Sequence, residues 1–133
     1  MKRITTILAL AVVCISASAQ QNVGFRQGAV VSPEVNQDHT VTFRVNAPKA
    51  SEVTVFGDWA AADKGMIRLE KNQEGIWENT TGVLPSEMYT YRVIIDGIAG
   101  LDPSNPFTRR DVGNVFSIFY VPDGPADYYL VHD

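Results

Sequence analysis

The feature that most limits what this chain can fold into is a hydrophobic period of two. Val41, Phe43 and Val45 alternate with Thr42 and Arg44, Val53 and Val55 flank Thr54, and Ile67 and Leu69 flank Arg68. Tyr89, Tyr91, Val93 and Ile95 alternate with Thr90, Arg92 and Ile94. Successive side chains of a strand point to opposite faces, so this pattern marks half-buried strands. The segments Ile76 to Thr80 and Val115 to Val121 read the same way, giving six or seven short strands. Turn formers separate them: 46–49 with Pro48, 72–75 with Gly75, Pro85-Ser86-Glu87, Asp96-Gly97, and 102–106 with two prolines. No stretch supports a helix longer than a turn or two, and Trp59 to Lys64 is where a short one could form. The expected architecture is all-β, an immunoglobulin-like sandwich of about seven strands whose core is made by the inward residues of two sheets.

That pattern also assigns faces. Tyr89, Tyr91 and Trp77 read as core, while Arg92 falls on the face opposite the two tyrosines and points outward. Trp59 follows Gly57-Asp58 at a strand end, where it either plugs the sandwich or caps its rim.

The two ends read differently. Residues 1–19, MKRITTILALAVVCISASA, have a basic start, an apolar run from Ile7 to Ile15 and a small-residue cleavage site at Ala17-Ser18-Ala19. This predicts a secretory signal and a periplasmic or extracellular location. The apolar run is shorter than the ~20 residues that cross a bilayer, so membrane insertion is not expected. Cleavage after Ala19 would leave 114 of the 133 residues, enough for one domain, and would remove Cys14, the single cysteine. Residues 20–37 read as a polar lead-in, 38–121 as the sandwich, and 122–133 as a linker toward a catalytic domain that is absent here. From pattern alone the tail could equally fold back as an edge strand.

Several function classes drop out. Removing Lys2 and Arg3 with the signal leaves 9 basic against 15 acidic residues, the wrong sign for neutralising phosphates, so nucleic acid is not an expected partner. Outside the signal there is no thiol, and the two histidines, His39 and His132, are far apart and read as solvated loop residues. No G-x-S-x-G elbow, glycine-rich phosphate loop or metal-ligand spacing occurs. No catalytic residue, metal or cofactor is expected. Recognition by a surface remains: aromatic rings stack on the apolar face of a pyranose while amides, arginine and carboxylates bond to its hydroxyls.

Three runs carry a family likeness: FRVNAPKASEVTVFGDW, EGIWENTTGVLPSEMYTYRVIIDG and LDPSNPFTRRDVGNVFSIFYV. Together they resemble the family-48 carbohydrate-binding modules, early-set immunoglobulin-like domains, over about residues 32–121. The order Y-x-Y-x-x-x-x-D-G followed by D-P-S-N-P is similar to the version preceding secreted feruloyl and acetylxylan esterases of carbohydrate esterase family 1. The resemblance implies a non-catalytic module that positions an appended serine esterase on plant cell-wall polysaccharide, xylan rather than starch. Starch-binding members hold sugar with two tryptophans, a lysine and an asparagine; those positions fall on Ala62, Ala99, Arg92 and Phe116. Candidate sugar-binding residues are therefore Trp59, Asp63, Lys64 and Arg92. Asp102, Pro103, Asn105 and Pro106 match the family motif and are expected to shape their loop. The alternative is a spacer that docks on an esterase domain and binds no glycan, through Phe107, Arg109, Arg110, Tyr128, Tyr129 and Leu130.

Overall fold

A computed structural model describes residues 30–59 and 65–129, with the side chains of 125 and 129 outside it. The signal, the possible short helix after Trp59, and candidate residues Asp63, Lys64 and Leu130 lie outside the described residues, as do Ala62 and His132.

The strands are β1 (Glu34–Val35), β2 (Val41–Asn46), β3 (Val53–Gly57), β4 (Met66–Arg68), β5 (Glu70–Lys71), β6 (Ile76–Thr80), β7 (Met88–Ile95), β8 (Ile98–Gly100), β9 (Thr108–Asp111) and β10 (Asn114–Tyr120). They form two antiparallel sheets, one ordered β1-β2-β6-β5 and the other β4-β3-β7-β10-β9 with β8 added alongside β7. The all-β sandwich expected from the alternation is the architecture observed. Each strand read from the sequence is present as β2, β3, β4, β6, β7 or β10. The others are short or lie at sheet edges, and β9, Thr-Arg-Arg-Asp, is exposed throughout. The lead-in is not wholly irregular, since Glu34 and Val35 pair with Thr42 and Val41. Leu69, between β4 and β5, is buried where the chain crosses from one sheet to the other.

The inward residues close on one another as the period of two requires. Val41, Phe43, Val45, Val53, Val55, Tyr89, Tyr91, Val93 and Phe119 make a continuous buried cluster with Trp77. Trp77 seats its ring in the core and donates its indole N–H to the Ala47 carbonyl at 2.9 Å, so its polar edge is satisfied. Rings pack tilted and edge-on through the centre, with Phe43 5.1 Å from Tyr91 and 5.8 Å from Phe119 between centroids.

A buried polar network closes one end. The Asp102 carboxylate, 2% exposed, accepts from the Ser32 hydroxyl at 2.8 Å, the Tyr91 phenol at 2.8 Å and the Ser104 N–H at 2.8 Å. Asn105 donates to the Tyr91 oxygen and to the Ile118 carbonyl, and accepts from the Phe107 N–H. The D-P-S-N-P motif thus shapes its loop through side chains bonding nearby backbone, and it also satisfies Tyr91 from two sides. Burial, then the Asp102 charge, pushes the Tyr91 phenol far above its ordinary range.

One turn sets the geometry of the β7–β8 hairpin. Asp96 and Gly97 join β7 to β8 as a two-residue hairpin loop, both with positive φ (48° and 84°), the conformation for which Asp-Gly is the favoured pair. Asp96 also accepts the Ser51 and Glu52 N–H groups, tying that turn to the start of β3.

At the exit, His39 is not merely solvated: its Nε2 lies 2.9 Å from an Asp123 carboxylate oxygen, joining the turn before β2 to the segment after β10. Pro125–Tyr129 forms a 3-10 turn, so the described part of the tail is not an edge strand. Among the described residues no helix is long and apolar enough to cross a membrane.

Candidate functional site

The outward face of the larger sheet carries a row that alternation alone creates. Register places Met66 opposite Phe56, Phe56 opposite Arg92, and Phe116 opposite Arg109, so β4, β3, β7, β10 and β9 each contribute one residue. Phe56 stays 41% exposed and Met66 49%, which a soluble sheet does not need for packing. In the middle the Arg92 guanidinium lies over the Phe116 ring, 4.7 Å from its centroid.

These residues open a groove of about 500 Å³, lined by Phe56, Gly57, Asp58, Thr90, Arg92 and Phe116, with part of Tyr91. A cleft of this size with apolar walls and a few fixed polar groups suits a small ligand or one segment of a polymer. The polar groups are held in place. Asp58 accepts from the Thr90 N–H at 2.9 Å and from its hydroxyl at 2.8 Å, and Arg92 donates one Nη2–H to the Asn114 side-chain carbonyl at 3.1 Å. The Arg92 Nε is sealed from solvent and has no hydrogen-bond partner among the described residues. Rings for stacking, a carboxylate to accept from hydroxyls and a guanidinium to donate to oxygens meet in one cleft.

Arg92 therefore points outward, as its parity requires. Trp59 is on the opposite side of the sheet. Its ring packs 5.5 Å from Phe43 and 6.2 Å from Phe119, over Gly57, where a Cβ would come within 1.9 Å of the indole. Of the two expected positions it takes the plug, and it does not join Arg92 in the groove. The missing side chain at Gly57 makes room for the ring, a signal visible two residues before Trp59.

Phe56, Asp58 and Thr90 line the groove and are absent from the candidate sugar contacts, while Phe116 stands where the family resemblance puts a sugar-binding asparagine. Parity marks Phe56 as outward, since Val53 and Val55 face in. Phe116 was harder to place because β10 is apolar on both faces. At the tip of the β9–β10 hairpin Val112 is 98% exposed with φ 43°, a strained conformation for a β-branched residue.

The docking candidates are spread out. Phe107 is 66% exposed beside a second cleft of about 340 Å³ that Val31, Pro33, Ile118 and Tyr120 help line. Arg109 and Arg110 are exposed on β9, and Tyr128 is 91% exposed in the 3-10 turn. The Tyr129 side chain lies outside what the structure describes.

The chain is similar to known proteins in sequence and in fold. Relatives from Arabidopsis thaliana are the SNF1-related protein kinase regulatory subunits beta-1, 35% identical over 79 residues (56% of this chain and 27% of the relative), and beta-2, 37% over 76 residues (54% and 25%). The chain thus spans about a quarter of the length of these relatives. Among solved structures, a GBS pullulanase in complex with maltotetraose superposes with a TM-score of 0.55 at 21% identity, covering 69% of this chain and 14% of that one, a likeness of fold. The model of carbohydrate-binding module 48, the isoamylase N-terminal domain, matches residues 27–105. That span exceeds half the chain, and the chain belongs to the carbohydrate-binding module 48 family of non-catalytic binding modules.

Proposed function

We propose that this module binds polysaccharide on the outward face of its larger sheet, with the Phe56–Arg92–Phe116 groove at the centre of the contact. The observation that supports this reading is the groove itself: the exposed Phe56 ring, the half-buried Phe116 ring, a held carboxylate and a guanidinium in one cleft on a member of a carbohydrate-binding family. Phe56 and Phe116 supply the apolar platforms, Arg92 donates to ring or hydroxyl oxygens, and Asp58 accepts from hydroxyls.

The ligand in this reading is a xylan-type chain, and the parent protein a secreted feruloyl or acetylxylan esterase whose catalytic domain follows residue 133. The similar proteins include a pullulanase in complex with maltotetraose and two kinase regulatory subunits, so an α-glucan is the competing ligand. What favours xylan is side-chain loss on the ligand face. Ala99, where starch binders carry a tryptophan, is a small exposed residue on β8 that offers no ring. Holding the esterase close to its polymer would raise the local substrate concentration without new contacts in the catalytic site. In this scheme residues 1–19 direct export, and 122–133 lead into the catalytic domain.

Native affinity electrophoresis of the full chain through gels containing arabinoxylan, glucuronoxylan or soluble starch tests the reading, with Phe116→Ala alongside. Retardation in the xylans, lost in the variant, is the expected result. Retardation in starch alone would replace the xylan assignment. Unchanged mobility in all three would favour the docking spacer, which the exposed Phe107 supports.

A further inference from the structure

Arg92 differs from Arg44 and Arg68, the ion-paired arginines among the described residues. Arg44 is held between Glu34 and Glu78, and Arg68 lies 3.1 Å from Glu52. Among the described residues Arg92 has no carboxylate within ion-pair distance. Its guanidinium has five N–H donors, of which Asn114 takes one. One face is covered by Phe116 and the Nε is out of contact with solvent and unpartnered, so the charge is partly desolvated without a counterion. In the same groove Asp58 is anchored by Thr90 and keeps lone pairs for a hydroxyl donor.

From this we infer that the groove is built for a sugar bearing a carboxylate, a uronic-acid unit of a polysaccharide: its carboxylate pairs with the open edge of Arg92, its hydroxyls donate to Asp58, and its ring lies against Phe56 and Phe116. The inference rests on the sugar-binding reading above and narrows it to an acidic ligand. A carboxylate is the group that answers a planar guanidinium best, with two parallel hydrogen bonds. A neutral pyranose would leave the Arg92 charge uncompensated. Asp58 opposes an anion placed beside it, so the carboxylate belongs at the Arg92 end of the cleft and the hydroxyls at the Asp58 end. The chain as a whole is acidic, with a formal charge of −4, so general attraction to anions does not provide this preference.

The test compares two ligands on the unmodified full chain by titration calorimetry: a glucuronic-acid-substituted xylo-oligosaccharide, and the same oligosaccharide with its carboxyl group reduced to the alcohol. The acidic form is expected to bind at least tenfold more tightly. In Arg92→Gln the two forms should bind equally, both at the level of the reduced ligand, and Arg92→Lys should recover part of the preference. Equal affinity of the unmodified chain for both forms would overturn the acidic-ligand inference while leaving sugar binding intact. A tighter reduced form would overturn it in the same way. Failure of both, together with failure of unsubstituted xylo- and malto-oligosaccharides, would overturn the sugar-binding reading as well. Because the main comparison changes the ligand, it holds whatever the variants do to folding.

Discussion

Tyr91 and Arg92 are neighbours in one strand and live in opposite conditions. The Tyr91 phenol faces inward, 1% exposed, with Asp102 and Asn105 on its oxygen. Arg92 faces outward over Phe116, with one hydrogen bond and a buried N–H left unanswered. In the proposed reading, a strand that alternates faces serves stability with one residue and recognition with the next. The outward side of the smaller sheet has its polar groups paired. There Arg44 is neutralised by Glu34 and Glu78, and Thr42 and Thr80 bond to each other. What separates the two outward faces is the availability of their polar groups, since both carry arginine.

Inner and outer changes should therefore separate cleanly, stability on one side and affinity on the other. Asp102→Ala should have the largest effect, about 3 kcal/mol of unfolding free energy, because it strands the Ser32 and Tyr91 hydroxyls inside the protein; urea unfolding monitored by tryptophan fluorescence checks it. Gly57→Ala should cost about 2 kcal/mol in the same assay, since the new methyl collides with the Trp59 ring that packs on the core. An unchanged midpoint there would mean that Trp59 is not a plug.

On the outer side, Phe116→Ala should lower polysaccharide affinity about tenfold. If thermal stability fell as far as in Gly57→Ala, the distinction between the faces would be lost.

Tyr91→Phe should cost about 1 kcal/mol near neutral pH. Its alkaline behaviour carries more information. Burial and the Asp102 charge raise the folded Tyr91 above the unfolded value of 10.0, so its contribution is complete below pH 10. As pH rises past that value the unfolded chain releases a proton that the fold retains, and stability falls. Unfolding curves between pH 9 and about 11 should show a shallower decline for Tyr91→Phe than for the unmodified protein. The smallest effect belongs to Arg44→Gln, below about 0.5 kcal/mol because its ion pairs are solvent-exposed, with polysaccharide affinity unchanged.

Where burial imposes a period of two, sequence and structure agree: β2, β3, β6 and β7 each place the residues expected inside on the inner face. β5, β8 and β9 escaped because edge strands need no apolar face, and Glu-Lys or Thr-Arg-Arg-Asp carries no alternation to detect. The outward direction of Arg92 followed from Tyr91 and Val93 on either side. Its union with Phe56 and Asp58 did not, because that depends on the register of strands distant in sequence, and Arg92 and Phe116 were set in one site by the family resemblance alone. The His39–Asp123 contact spans 84 positions and leaves no local trace. Trp59 was ambiguous at a strand end, and the space over Gly57 decided it.

The most direct test of the central claim, that sugar binds on the outward face of the larger sheet, is to map amide chemical shifts of the full chain during titration with a soluble xylo-oligosaccharide. The predicted result is movement concentrated at Phe56, Asp58, Thr90, Arg92 and Phe116, with Thr42, Arg44 and Glu78 on the other sheet unmoved. Shifts centred on Phe107 and Tyr128, or on the Arg44 face, would contradict it.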